Sequence, residues 1–236
     1  MEILDLRWDI IWNYRDYFIR GIWVTLILTL CGFFGGFVLG VLLGLGKNSK
    51  RKWLYWPCKL YIDLFRGTPL LVQIFIIHLA LIPTLFGHSL GFMVSGITAL
   101  ILNCAAYTAE IIRAGIQSID KGQMEAARSL GLNHFQAMRK VILPQAFRRM
   151  IPPLGNEFIT LLKDSSLVTV IAANDILYAA KVVSGAYFRF WEPYLAAALL
   201  YLILTFIVSK IVTFIERRFS IEYNPRKIKN EGRVEA

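Results

Sequence analysis

Long apolar runs alternate with short basic stretches along this chain. A spanning helix takes about 20 mainly apolar residues. The first run, from about Ile22 to Gly46, carries no charge. It is too long for a signal-peptide core, and the acidic Glu2, Asp5 and Asp9 precede it in place of a basic leader. The second, from about Leu60 to Pro83, is broken early by Arg66-Gly67-Thr68-Pro69. A third runs from about Phe92 to Ile112 with Asn103 and Glu110 inside it. The last runs from about Tyr194 to Ile215 and is uncharged until Lys210. Between these lies Leu154 to Ala172, apolar overall but carrying Asn156, Glu157, Lys163 and Asp164. The pattern predicts an all-α membrane protein with five transmembrane helices, the fourth lined with polar groups. Residues 175–183 read as a short amphipathic helix between spans four and five.

Five spans put the termini on opposite sides, and basic residues mark the cytoplasmic one. Five Lys or Arg lie between Lys47 and Lys59, seven between Arg113 and Arg149, and six from Arg217 onward. The opposite side has Arg7, Arg15, Arg20, Lys181 and Arg189. The expected topology is N-terminus outside and C-terminus inside. Residues 1–21 form an extracytoplasmic segment, 22–217 the transmembrane domain and 218–236 a basic cytoplasmic tail.

Composition agrees. Of 236 residues, 56% are hydrophobic and 18% charged, with mean hydropathy +0.54. Ordinary soluble domains run near ~25% charged. The net charge of +10 is explained by the loops and tail, which removes the reason to invoke nucleic acid. Cys31, Cys58 and Cys104 are far apart and sit in or beside apolar runs, so they read as packing residues. His78, His88 and His134 have no ligand partners at metal spacing, and no metal site is expected. Gly32, Gly36, Gly40 and Gly44 recur every four residues in the first run. That spacing makes a groove along one helix face into which another helix can fit.

The most informative stretch is DKGQMEAARSLGLNHFQAMRKVILPQAFRRMIPP, residues 120–153. Met124 to Leu130 is strong helix-forming sequence, and Gly131 is a helix stop. Asn133 with Gln136 three positions later predicts a capped second helix reaching about Val141. Pro144 suits the first turn of a further helix. Two short cytoplasmic helices in a fixed elbow then lead into span four.

Glu125-Ala126-Ala127, Gly131, Val141 and Leu143-Pro144 stand at the spacing of the EAA loop, here residues 120–144. On these positions the chain resembles the permease subunits of bacterial ABC importers. FRGTPL (65–70), YTAEIIRAGIQSIDKG (107–122) and GNEFITLLKDSSL (155–167) extend the resemblance, specifically to the polar amino acid permeases. The family usually has isoleucine where this chain has Val141.

The resemblance implies a multi-pass subunit of the bacterial cytoplasmic membrane, surrounded by lipid. It implies a second permease chain, identical or a sister, and a pair of ABC ATPase subunits. It also implies an extracytoplasmic amino acid-binding protein and a polar amino acid substrate. Glu125, Ala126, Ala127 and Gly131 would contact the ATPase, and Leu143 and Pro144 would fix the exit into span four. This chain has no GxxxxGK[ST] loop, so ATP and Mg would be bound by the partner ATPase, and no catalytic residue is expected here.

Ionisable groups within a membrane are costly and default to function or to a buried pair. Asn156, Lys163 and Asp164, at i, i+7 and i+8, share a helical face. With Glu157 and Ser165 they are candidates for the substrate path, since a zwitterion needs an acid for its ammonium and a cation or free amides for its carboxylate. The competing reading is an internal Lys163–Asp164 or Lys163–Glu157 ion pair. Arg66 either lines the path or reaches toward headgroups. Asn103 and Tyr107, at i and i+4, either line the cavity or bond a neighbouring span. Glu110 and Arg113 are spaced for a helix-surface pair.

A membrane enzyme is the other class of reading. The sequence has no HExxH and no histidine in a span interior, and although Asp63 and Asp164 could in principle pair, no protease family motif surrounds them. A scaffold that lost transport would not need the intact EAA loop. Within transporters, the alternative is an ABC permease for another small solute, such as an opine or a peptide.

Overall fold

A computed structural model describes residues 6–219. All regular structure among the described residues is helical. The helices are α1 (Trp8–Asn13), α2 (Arg15–Lys47), α3 (Lys52–Gly67), α4 (Leu70–Phe86), α5 (Gly91–Gln117), α6 (Lys121–Ser129), α7 (His134–Ile171), α8 (Ile176–Tyr187) and α9 (Trp191–Phe219). Three of them, α2, α5 and α9, are each long and apolar enough to cross a membrane, and the count rises to five if each bent pair is one span. The expected tail from residue 220 onward lies outside the described residues, as do Glu2 and Asp5.

The glycine groove of α2 is filled by α5. An added Cβ would lie 2.9 Å from Leu100 Cβ at Gly32, 2.6 Å from Cys104 Cβ at Gly36 and 2.6 Å from Thr108 Cβ at Gly40. At Gly44 it would meet the Ala109 carbonyl at 3.0 Å and Ile112 Cβ at 3.2 Å. Both sets of residues climb in steps of four in the same direction. The two helices therefore run parallel, and the chain between them must return. Leu28, Leu100, Cys104 and Leu161 beside this seam are fully or almost fully buried.

That return is α3 and α4, which meet at a bend of 108°. Proline disfavours a helical conformation in the residue before it. Thr68 is extended accordingly, at φ −122° and ψ 145°. The break frees carbonyls at the end of α3, and unsatisfied backbone groups are costly in lipid. Gln73 takes up two of them. Its Nε2 donates to Phe65 O at 2.8 Å and Thr68 O at 3.0 Å, and to Thr68 Oγ1 at 2.9 Å. Its Oε1 accepts from Asn103 Nδ2 at 2.9 Å, which ties the bend to α5.

At one end of α5, α6 and the start of α7 make the elbow. Asp120 caps α6 by accepting from Gly122 N at 2.7 Å. Gly131 ends it at φ +85°. Gly131 N bonds Arg128 O at 3.0 Å and Leu132 N bonds Ala127 O at 3.2 Å, the Schellman pattern of a left-handed stop. Asn133 and Gln136 form the expected capping box, with both bonds at 2.9 Å.

The second loop helix does not end near Val141 for another to start at Pro144. The chain is helical without interruption from His134 to Ile171. Residues Met138–Ile142 form wide turns with bonds to the fifth residue. Pro144 would press its ring on the Lys140 carbonyl in an ordinary helix, and the wide turn re-phases the backbone there. The same device precedes Pro83, at Ile76–Leu81. Val141, Ile142, Ala146, Met150 and Leu154 of α7 pack on Ile112 and Ile119, and Arg149 donates to the Ser118 carbonyl.

At the other end of α2 sits α8, longer than the expected 175–183. Asp175 caps it by accepting from Tyr178 N at 2.9 Å. The Asp175 carboxylate is fully buried and also accepts from Thr169 and from Tyr201 Oη, the latter at 3.1 Å. Gly21 lets α2 approach this cap, because a Cβ there would lie 2.8 Å from Asp175 O.

Overpacking a tight seam costs about 1–3 kcal/mol, so Gly36→Ala lowers the thermal unfolding midpoint of the detergent-solubilised protein by several degrees. Gly185→Ala does not lower the midpoint in the same measurement, because nothing lies within 4 Å of its Cβ position and alanine is the better helix former. Gly131→Ala also has open space around it, and its effect comes from the left-handed backbone alone, a loss of about 1–2 kcal/mol. Asn tolerates this conformation better, so Gly131→Asn loses less than Gly131→Ala in the same scan.

Candidate functional site

A polar pocket of about 420 Å³ opens where α3, α4, α5 and α7 meet. Its walls are the α3–α4 bend from Arg66 to Leu70, Asn103 and Tyr107 of α5, and Glu157, Thr160 and Asp164 of α7. Positions 157, 160 and 164 advance by three and four, which makes one face of a helix. The bend supplies the opposite wall because Pro69 opens it and Gln73 holds it open.

Five of the residues singled out in the sequence meet in this pocket: Arg66, Asn103, Tyr107, Glu157 and Asp164. Three do not line it. Asn156 and Lys163 are exposed on the adjacent stripe of α7. Ser165 is buried and donates to Leu162 O at 2.7 Å. The inward face of α7 is thus turned by one residue from the 156/163/164 face read in the sequence. Among the described residues, Lys163 makes no ion pair with Glu157 or Asp164. Asn103 both lines the pocket and bonds Gln73.

Glu110 is the centre of an ion cluster beside the pocket. Lys47 at the end of α2 bonds one oxygen. Arg113 grips the other, with Nε at 2.9 Å and Nη2 at 2.8 Å, which bears out the expected pair. Arg66 Nη1 stands 3.8 Å away, and its guanidinium lies 5.5 Å from the centre of the Tyr107 ring.

The elbow presents its motif residues unevenly. Glu125, Ala126, Gly131 and Pro144 are exposed, and Leu143 is partly so. Ala127 is 4% exposed and packs inward. Leu130 and Phe135 flank the turn at 84% and 70% exposure. Sequence reasoning passed over these two, and over Gln73. A glutamine four residues after a proline in an apolar run was the available signal for the latter. Lys47 was read only as a topology marker.

Among the described residues, the His, Cys, Asp and Glu side chains form no group of three or more able to hold a metal.

Comparison with known proteins bears on the family and the fold. Residues 36–221 match the family model described as binding-protein-dependent transport system inner membrane component. The probable amino-acid ABC transporter permease protein YckA of Bacillus subtilis is 38% identical over 229 residues, covering 92% of this chain and 98% of YckA. The arginine transport system permease protein ArtQ of the same organism is 39% identical over 202 residues, 86% of this chain and 92% of ArtQ. A crystal structure of an amino acid ABC transporter with histidines superposes with TM-score 0.85 at 41% identity, covering 91% of this chain and 100% of that one. A methionine ABC transporter in an inward-facing conformation shares the fold at TM-score 0.75 and 22% identity. With its helical bundle, its elbow and its inner-membrane family match over most of the chain, this protein belongs to the binding-protein-dependent transport system inner membrane components, as an ABC transporter permease.

Proposed function

We propose that this chain is the permease subunit of an ATP-driven importer of polar amino acids. The observation that carries the reading is that one unbroken helix, α7, bears the exposed elbow at one end and the 157/160/164 wall of the polar pocket further along. A push on the elbow moves the wall directly. The named relatives handle amino acids, arginine among them, which supports the substrate class.

In this reading the bilayer is crossed five times, by α2, the bent α3–α4 pair, α5, the later part of α7, and α9. The N-terminus is outside and the C-terminus inside. The parallel course of α2 and α5 and the basic residues near the elbow support that arrangement. The α8 helix then lies outside, facing an amino acid-binding protein. Residues 22–217 make the transmembrane domain, paired with a second permease chain.

The ATPase pair docks on the elbow. Glu125 offers a carboxylate, Ala126 and Gly131 allow close approach, and Leu130 and Phe135 add apolar surface that water otherwise covers. Leu143 and Pro144 carry the motion into α7. ATP and Mg stay on the ATPase. The pocket residues Arg66, Asn103, Tyr107, Glu157 and Asp164 form the substrate path. Asn156, Lys163 and Ser165 stay candidates for the path in the outward-facing arrangement or at the seam with the second chain.

Reconstitution with the ATPase and binding protein tests this. Labelled arginine, glutamine, histidine and cystine are offered on the binding-protein side, with ATP on the other. One or more accumulates. Glu125→Lys cuts uptake at least about tenfold, the loss expected for breaking one charge-assisted contact at an interface. Failure of any ATPase to co-purify with the wild-type chain would overturn the docking assignment.

A further inference from the structure

The cations around Glu110 are not equivalent. Lys47 holds one carboxylate oxygen and Arg113 holds the other with two nitrogens. Those contacts are close, and the carboxyl side chain is only 15% exposed. Arg66 is the outlier. Its nearest nitrogen is 3.8 Å from Glu110, a distance beyond hydrogen bonding. Its side chain is 44% exposed. It borders two spaces at once, the polar pocket and a second opening toward Ser118 and Arg149 at the elbow.

The pocket's composition makes this position significant. Glu157 and Asp164 stand on the α7 wall and suit an ammonium group. A free amino acid also brings a carboxylate, and Arg66 is the one cation among the described residues lining the pocket. Two of the neighbouring neutral groups are engaged with protein acceptors, and the other hydroxyls of the lining, Tyr107 and Thr160, carry no charge. Asn103 Nδ2 donates to Gln73, and Thr68 Oγ1 donates to Leu64 O at 2.8 Å. A guanidinium is a planar fork that fits a carboxylate with two bonds. It lies at the last turn of α3, next to Gly67 and the extended Thr68-Pro69 joint, where no neighbour lies within 4 Å of the Gly67 Cβ position.

We infer that Arg66 is the carboxylate-binding residue of the pocket, and that it exchanges Glu110 for the α-carboxylate of a bound amino acid. This rests on the substrate path proposed above. Glu110 can release Arg66 because Lys47 and Arg113 keep it neutralised. Occupancy of the pocket is thereby communicated to the cluster that joins α2 to α5. Arg113 also bonds Gln117 at 2.6 Å near the start of the elbow, so the cluster reaches the docking region.

The test is direct binding to the permease–ATPase complex in nanodiscs, without the binding protein. The probes are L-arginine, L-glutamine and L-histidine, each beside its methyl ester, in which the carboxylate is capped. The wild type binds at least one free acid more tightly than its ester. Arg66→Gln weakens that acid by at least about tenfold, the scale of one charged hydrogen-bonded contact, and leaves the ester unchanged. Arg66→Lys falls between. Unchanged acid binding in Arg66→Gln overturns the inference while leaving the path reading intact. Equal weakening of acid and ester also overturns it, since that marks a packing role. If the wild type binds none of the acids, the path reading falls and the inference falls with it.

Discussion

The close parallel seam between α2 and α5 is the constraint on which the other elements depend. In lipid there is little hydrophobic gain from bringing two helices together, so association rests on close packing and interhelical hydrogen bonds. Four glycines at four-residue spacing remove the side chains that would hold the backbones apart. Because the two helices point the same way, the chain between them must turn back. That requirement gives α3 and α4 their place. The bend between them forms one wall of the pocket.

Polar groups inside this bundle are satisfied locally. Among the described residues, no buried side-chain nitrogen or oxygen lacks a hydrogen-bond partner. Gln73 repairs the broken backbone at Pro69. Asp175 gathers a helix N-terminus, a threonine and a tyrosine from three segments. Glu110 gathers cations from α2, α3 and α5. An unpaired buried charge is much costlier than a paired one, so each cluster fixes the relative position of its helices more firmly than apolar contact would. The pocket is different, for its two carboxylates have no ion-pair partner among the described residues.

Much of this was legible in the sequence because the signals are local. Uncharged runs marked the long helices, the glycine period marked the seam, and Asn133 with Gln136 marked a cap. Pro69 marked the bend. What escaped depends on phase and distance. The continuity of α7 through Pro144 requires a wide turn upstream, and residue type alone does not announce one. The inward face of α7 turned out to include Glu157 and not Asn156, a difference of one position that only packing against α5 and the bend decides. The role of Gln73 escaped for a related reason: its place after Pro69 is a sequence signal, but its partners come from α3, Thr68 and α5 together.

The unbroken course of α7 has a consequence for how such a chain can change over generations. Each residue along a helix adds about 100° of rotation. Pro144 and Glu157 lie on one rod, so a single inserted or deleted residue between them would turn the pocket wall away from the cavity while leaving the elbow in place. Substitutions in this stretch can be absorbed one at a time. A change of length cannot, unless a compensating wide turn arises with it. The number of residues between the elbow and the pocket is therefore itself an inherited quantity, independent of which residues fill it.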